Sequence, residues 1–80
     1  MEKVVPIYVD RKERHSPEHT TGAALYVLGV INPATHELWR EEEGRKDDKC
    51  IPNNQEPVHL KEWTHFYSSQ KDLNPGCHGN

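Results

Sequence analysis

Six histidines and two cysteines in this 80-residue chain raise the possibility of a bound metal ion. His15 and His19 are four positions apart, which on a helix would place both imidazoles on one face, but Pro17 between them prevents a helix. The paired Cys or His spacings of zinc sites are missing, and Cys77 and His78 are adjacent in a polar terminal stretch. The sequence therefore predicts no metal and no cofactor of the chain's own.

Covalent catalysis by a cysteine is not supported by the sequence either. A cysteine nucleophile needs a base held at a fixed distance by a rigid scaffold, whereas Cys50 lies in a charged stretch and Cys77 in the terminal stretch. GxSxG, Walker and dinucleotide-type glycine motifs do not occur. Without a secretion signal to favour a disulfide, we expect two free thiols in a protein that is not an enzyme.

Composition indicates one small domain without an electrostatic preference for polyanions. Hydrophobic residues make up 32% of the chain, and 10 basic residues against 13 acidic ones give a net charge of -3. This balance gives no reason to expect nucleic acid or an anionic membrane as a partner. No apolar run reaches the 18 or so residues of a membrane span, and the N-terminus does not fit a signal peptide. We therefore expect a cytoplasmic protein.

The N-terminal part is typical of a β-hairpin. Val4–Asp10 is rich in β-branched and aromatic residues and predicts a strand. Pro6 cannot donate to a ladder, so pairing should begin at or after it, or form a bulge there. A polar turn leads to a second strand at Glu13–Ser16, which should stop at Pro17.

A helix is predicted for Thr20–Gly29. Thr20 or Thr21 can cap its N-terminus, and Gly29 can end it in the left-handed conformation. The spacing of three apolar residues predicts that they share one face of the helix: Ala24, Leu25 and Leu28.

The C-terminal half predicts two further strands around a long irregular loop. Glu37–Glu41 is the first strand, Arg40–Lys49 a solvated mixed-charge loop, and Trp63–Ser69 the last strand. Three apolar residues are the expected anchors into the core: Ile51, Val58 and Leu60. The aromatic side chains could form a binding face, but burial preferences favour the core for all of them: Trp39, Trp63, Phe66 and Tyr67.

These elements predict an α+β domain over residues 1–69, in which a mixed four- to five-stranded sheet packs on one helix. Residues 70–80 should form a flexible tail, because they lack apolar periodicity. Eleven residues can extend about 35 Å, at about 3.3 Å per residue, which is enough to thread a narrow channel in a partner. Gly76 and Gly79 would let the backbone pass close to another protein surface.

The chain resembles bacterial multiubiquitin-type proteins over about nine-tenths of its length, Val5 to Gly76. The resemblance rests on the combination of "TG" at Thr21-Gly22, "NPATHELW" at Asn32–Trp39 and "PVHL" followed by Phe66. Members of this family are ubiquitin-like modules with a β-grasp fold, encoded beside activating and conjugating enzymes and a peptidase.

The resemblance implies a protein modifier that is monomeric when free. Its C-terminal carboxylate would be adenylated with ATP by the activating enzyme, then passed to the conjugating enzyme and to a target protein. A processing or deconjugating peptidase would be a further partner, and antiphage defence is one setting for such a bacterial ubiquitination-like pathway. The non-covalent β-grasp interaction module and the sulfur-carrier protein remain as alternatives.

The resemblance also assigns the working residues. Residues Pro75, Gly76, Cys77 and His78 would thread the activating enzyme. The terminal Gly-Gly of ubiquitin is missing and the chain ends Gly79-Asn80, so the reactive terminus is Asn80 itself or, after trimming, Gly79 or Gly76. Fold-level analogy places the partner face on the sheet near the last strand, around His65 and Tyr67.

Overall fold

A computed structural model of the chain describes residues 3–42 and 47–71. One helix lies among seven strands in this part of the chain, and it is too short to cross a membrane. In chain order the elements are β1 (Val4–Val9), β2 (Lys12–Pro17), β3 (His19–Thr21), α1 (Gly22–Leu28), β4 (His36–Arg40), β5 (Lys49–Ile51), β6 (Pro57–His59) and β7 (Thr64–Gln70).

Five of the strands form one mixed sheet in the order β2-β1-β7-β4-β5. The last strand, β7, lies parallel to β1 and antiparallel to β4, whereas the β1–β2 and β4–β5 pairs are antiparallel. A second, two-stranded sheet pairs β3 with β6. The prediction of an α+β domain with a mixed sheet and one helix is therefore confirmed.

The core lies between one face of this sheet and α1. Alternate residues of β1 point into it, and Val5, Ile7 and Val9 are at most 2% exposed, as the period of two in a strand requires. The expected anchors Ile51 and Leu60 are buried, and Val58 packs against the same cluster. The remaining buried apolar side chains are Leu25, Tyr26, Ile31, Leu38 and Phe66.

Tyr26 joins the helix to the sheet through its buried hydroxyl group. Its Oη donates to the Ile51 carbonyl and accepts from the Leu38 amide, both at 2.9 Å. Leu38 and Ile51 are directly paired residues of β4 and β5, so one side chain of α1 bonds to both strands. Burial raises the pKa of Tyr26 above its ordinary value. The sequence prediction had not placed this residue in the core.

The two prolines of the β1–β2 hairpin occupy positions at which no ladder hydrogen bond is lost. Glu18 N donates to the Lys3 carbonyl at 2.7 Å, just beyond the last paired residues. Hydrogen-bonded and non-bonded pairs alternate in an antiparallel ladder, so the pairs containing Pro17 and Pro6 are both of the non-bonded kind. The ladder is therefore continuous over Val4–Val9. The expectation that pairing begins at or after Pro6, or forms a bulge there, is wrong, whereas the second strand stops at Pro17 as expected.

The helix begins as predicted and ends differently. Thr21 is the N-cap, and its hydroxyl accepts from Ala24 N at 3.2 Å. Gly29 has a right-handed φ of -85°, and the left-handed residue is Val30, with φ 56°. Gly29 is instead required for close packing, because a Cβ atom there would lie 2.7 Å from Val9 Cγ1.

Two hydrogen bonds around Val30 explain its conformation. Its amide donates to the Val27 carbonyl at 3.1 Å, and Ile31 N donates to the Tyr26 carbonyl at 2.9 Å, which is the Schellman pattern. Such a motif normally has glycine where Val30 stands. The predicted helix face is also wrong in part, because Ala24 is exposed while Leu25 and Tyr26 are buried.

The stretch predicted as an irregular loop contains two short strands, β5 and β6. Cys50 lies in β5 opposite Trp39 rather than in a loop, and its Sγ is 3.6 Å from Glu37 Oε2. Cys50 is disulfide-bonded, so the expectation of a free thiol is wrong for this residue. The other cysteine of the sequence, Cys77, lies outside the described residues.

We expect Tyr26→Phe to lower the free energy of unfolding by about 2–4 kcal/mol, because it leaves the Leu38 amide and the Ile51 carbonyl buried without their partner. Denaturant unfolding measures the difference. Tyr8→Phe is the matched control on the opposite face of the sheet and should change the value by about 0.5 kcal/mol or less. Equal losses in both variants would contradict the bridging role of Tyr26.

We expect Val30→Gly to raise the free energy of unfolding by about 1 kcal/mol, because glycine removes the strain of a β-branched residue in the left-handed region. Val30 is 83% exposed, so little buried area is lost with its side chain. Val27→Gly is the matched control: Val27 is 79% exposed but helical, and glycine there should destabilise by about 1 kcal/mol. Destabilisation by both substitutions would show that Val30 is not strained.

Candidate partner-binding face

The five-stranded sheet has one face against α1 and a second face, the open face, on the other side. In β7, Phe66 is 2% exposed and belongs to the core. Because side chains alternate along a strand, His65 and Tyr67 on either side of it point to the open face. The structure therefore brings the two residues of the expected partner face together on the same side of the sheet.

Three aromatic rings form a cluster on the open face, which we call the Tyr8 cluster: Tyr8, Trp63 and His65. Tyr8 is the direct partner of His65 across the parallel β1–β7 pair, with ring centroids 4.9 Å apart. The Tyr8 and Trp63 centroids are 5.6 Å apart and their planes are tilted by 31°. These separations are within the range of favourable aromatic pairs.

Trp63 is the exposed member that sequence reasoning assigned to the core. Its side chain is 50% exposed and its backbone is left-handed, with φ 66°. The conformation is held by a 2.7 Å hydrogen bond from Trp63 N to the Pro6 carbonyl. A bulky non-glycine residue in this region is a strained position, and such positions concentrate at functional sites.

The other aromatic residues also depart from the expected core. Only Phe66 of the four belongs to the buried cluster. Trp39 and Tyr67 are partly exposed, and they face each other as direct partners of β4 and β7 on the open face. Three of these four aromatic residues lie on the open face or beside it, and the sequence pattern does not separate them from Phe66 in the core.

Tyr67 has a structural contact that His65 lacks. Its hydroxyl donates to Asp48 Oδ2 at 2.6 Å, and Asp48 Oδ1 accepts from Glu42 N at 3.0 Å. Burial and the Asp48 carboxylate raise the pKa of Tyr67 to about 12. The hydrogen bond from Tyr67 lowers the pKa of Asp48 in turn. Tyr67 therefore ties the segments on either side of residues 43–46 to the sheet, and its ring lies on the open face.

The β1–β2 turn fixes the part of β7 that leads to the C-terminal segment. Asp10 and Arg11 both have positive φ, 52° and 70°. In this turn the Asp10 carboxylate accepts from Ser68 N at 2.8 Å and from Ser68 Oγ at 2.7 Å. Lys71 N donates to the Thr35 carbonyl at 3.0 Å. The sheet thus fixes the chain up to Lys71, including the first residues of the predicted tail.

A shallow groove lies where this turn meets the open face. Its lining residues are Asp10, Arg11, Glu41, His65, Phe66 and Tyr67. Exposed aromatic rings beside a mixed-charge groove are typical of the anchors and rim of a protein–protein interface. The geometry of the open face therefore supports binding of another protein.

The predicted reactive and threading residues lie outside the described residues: Pro75, Gly76, Cys77, His78, Gly79 and Asn80. Comparisons of the chain with protein-family models, with curated proteins and with solved structures find no match. The residues of the open face that sequence reasoning missed as site residues are Tyr8 and Trp63. The signal for Trp63 is its left-handed backbone, which only the structure gives.

We expect the free energy of unfolding to fall as the pH rises from about 10 towards 12, because Tyr67 keeps its proton in the folded chain after unfolded tyrosine, with its ordinary pKa of 10.0, has lost it. The stabilisation that Tyr67 provides is fully present below pH 10, and it is lost as the pH approaches the pKa of Tyr67 in the folded chain, about 12. Tyr67→Phe should make this decline shallower in denaturant titrations at increasing pH. An equal slope in the parent chain and in Tyr67→Phe would contradict the assignment.

Proposed function

We propose that the chain is a ubiquitin-like protein modifier with a β-grasp fold. Its C-terminal carboxylate is adenylated by an activating enzyme that uses ATP, and the chain is then transferred through a conjugating enzyme to a target protein. The chain is not itself an enzyme, and its partners include a processing or deconjugating peptidase. It works in the bacterial cytoplasm, in a ubiquitination-like pathway that serves antiphage defence.

The arrangement of the strands is the observation that carries this proposal. A β-grasp needs an N-terminal hairpin, a helix across one face, and a last strand inserted in a mixed sheet. The β1–β2 hairpin, α1 and the central position of β7 beside β1 are compatible with each of these requirements. The family-like segments at Thr21-Gly22 and Asn32–Trp39 lie at the helix start and at β4, where this fold would place them.

The course of β7 supports the same proposal. His65 on the open face and Gln70 at the end of β7 are five residues apart on one strand. An enzyme that binds the Tyr8 cluster would therefore also reach the C-terminal end of β7. The distance along the strand is about 16 Å at about 3.3 Å per residue, which is within one protein–protein interface.

The exposed Tyr8 cluster also supports a second function, a non-covalent interaction module. In that case binding would depend on Trp63 and His65 and would not need the terminal residues. A sulfur carrier is a third candidate, in which the terminal carboxylate receives sulfur.

The test is to incubate the full chain with the activating enzyme encoded in the same operon and ATP, and to detect a terminal adenylate or a covalent adduct by mass spectrometry. We expect deletion of Gly79 and Asn80 to abolish the adduct if Asn80 or Gly79 is the reactive end. A chain ending at Gly76 tests the trimmed form. An adduct that persists at an internal site after all of these deletions would refute the modifier proposal.

A substitution in the same assay separates the modifier from the interaction module. Trp63→Asn removes the exposed ring and keeps a residue that tolerates positive φ. It should lower the rate of adduct formation about tenfold or more, as for an interface anchor. Val27→Ala, an exposed apolar residue on α1, is the control and should have no effect. Binding that needs Trp63 but survives every terminal deletion would indicate the interaction module.

The assay is run with and without a reducing agent. Cys50 is disulfide-bonded, and Cys77 in the C-terminal segment is the only other cysteine of the sequence. The reductant breaks the disulfide bond of Cys50, so this bond cannot restrain the terminal residues during the reaction. Mass spectrometry of the mature chain from native cells then identifies the terminal residue and any attached sulfur.

A further inference from the structure

The two-stranded sheet brings together two histidines that are forty positions apart in the sequence. His19 of β3 and His59 of β6 are directly opposite each other. Leu60 N donates to the Glu18 carbonyl at 2.8 Å, so the neighbouring pair is hydrogen-bonded. His19 and His59 therefore form a non-hydrogen-bonded pair, the kind in which side chains of an antiparallel ladder are closest.

The side chains at this position are arranged as a group of three potential ligands. The His19 and His59 rings are stacked, with centroids 4.6 Å apart and planes 11° apart. Glu18 Oε2 is 3.3 Å from His59 Nε2. One ligand atom from each of the three residues lies within 4.8 Å of the others. Other His, Cys, Asp and Glu residues in the described part of the chain form no further group of this kind.

We propose that Glu18, His19 and His59 form a binding site for a divalent transition-metal ion, with Zn²⁺ as the representative ion. Two imidazoles and one carboxylate are a ligand set that zinc accepts, with a solvent molecule in the fourth position. Imidazole ligands also suit Cu²⁺ and Ni²⁺, whereas Mg²⁺ and Ca²⁺ prefer sites built from oxygen atoms alone. The site is independent of the function proposed above and was not predicted by the histidine spacings.

The three side chains can close around an ion without a change in the backbone. Ligand atoms of one tetrahedral Zn²⁺ ion lie about 3.3 Å apart, since each is about 2.0–2.1 Å from the metal. The stacked rings must turn so that one nitrogen of each is directed at the same ion, and the exposure of His19 and His59 and the partial exposure of Glu18 leave space for this rotation. The ion would take the place of the proton between His59 Nε2 and Glu18 Oε2. It would add a link between β3 and β6, which form a ladder of three residue pairs extended by the hydrogen bond from Leu60 N to the Glu18 carbonyl.

The test is isothermal titration calorimetry of the full chain with Zn²⁺ at neutral pH. We expect His19→Gln and His59→Gln each to weaken binding about tenfold or more, and Glu18→Gln to weaken it by a smaller factor. His15→Gln is the matched control, because His15 also contacts a carboxylate, Glu13 at 3.0 Å, but has no second histidine in a ligand group. It should leave the affinity unchanged.

A second control is His78→Gln, which removes the histidine next to Cys77 and leaves both cysteines in place. The affinity should again be unchanged, because the site is on the folded domain. Thermal unfolding without Zn²⁺ checks that every variant is folded, and Zn²⁺ should raise the unfolding temperature of the parent chain but not of His59→Gln. Binding that survives both histidine substitutions, or that is lost in His78→Gln, would overturn the proposal, as would a chain that does not bind Zn²⁺.

Discussion

The hydroxyl group of Tyr26 is the contact on which the rest of this small domain depends. A seven-residue helix is too short to be stable alone, so its position must come from tertiary contacts. Leu25 and Tyr26 supply them: the first by burial in the core, the second by bonding to both Leu38 and Ile51. These two bonds fix the Leu38–Ile51 end of the β4–β5 pair as well as the helix. The position of α1 and the position of the edge strand β5 therefore depend on the same side chain.

The parts of the fold that can be predicted from the sequence are those whose pattern is local. The alternation in β1, the aromatic content of β7 and the threonine cap of α1 all predict elements at the right place. The three-residue strands β3, β5 and β6 are too short to carry a period, and each exists only because of a distant partner. The left-handed residue after α1 was assigned to Gly29, because glycine usually adopts this conformation. Packing against Val9 explains why the glycine is one residue earlier.

The candidate sites follow the same division. His65 and Tyr67 could be placed on a sheet face by their alternation around Phe66, which is a local pattern. Trp63 could not, because an aromatic residue in so small a chain is more often buried and its positive φ has no sequence signal. Neither could the His19–His59 pair, which depends on the register of two strands about forty residues apart in the sequence. The spacing of residues along the sequence can identify metal ligands that lie on one helix or strand. It cannot identify ligands that the pairing of two distant strands brings together.

The central position of β7 has a mechanical consequence. Because β7 lies between β1 and β4, its backbone is bonded on both sides, and the chain beyond Lys71 is attached directly to it. A pull on the C-terminal end against the N-terminal end of β1 acts along two parallel strands, so it loads their hydrogen bonds simultaneously in shear. An unfolding enzyme that pulls on this end would first have to break the hydrogen bonds between β7 and its neighbours β1 and β4. The domain should therefore resist traction from its C-terminus far better than it resists peeling at the β2 or β5 edge.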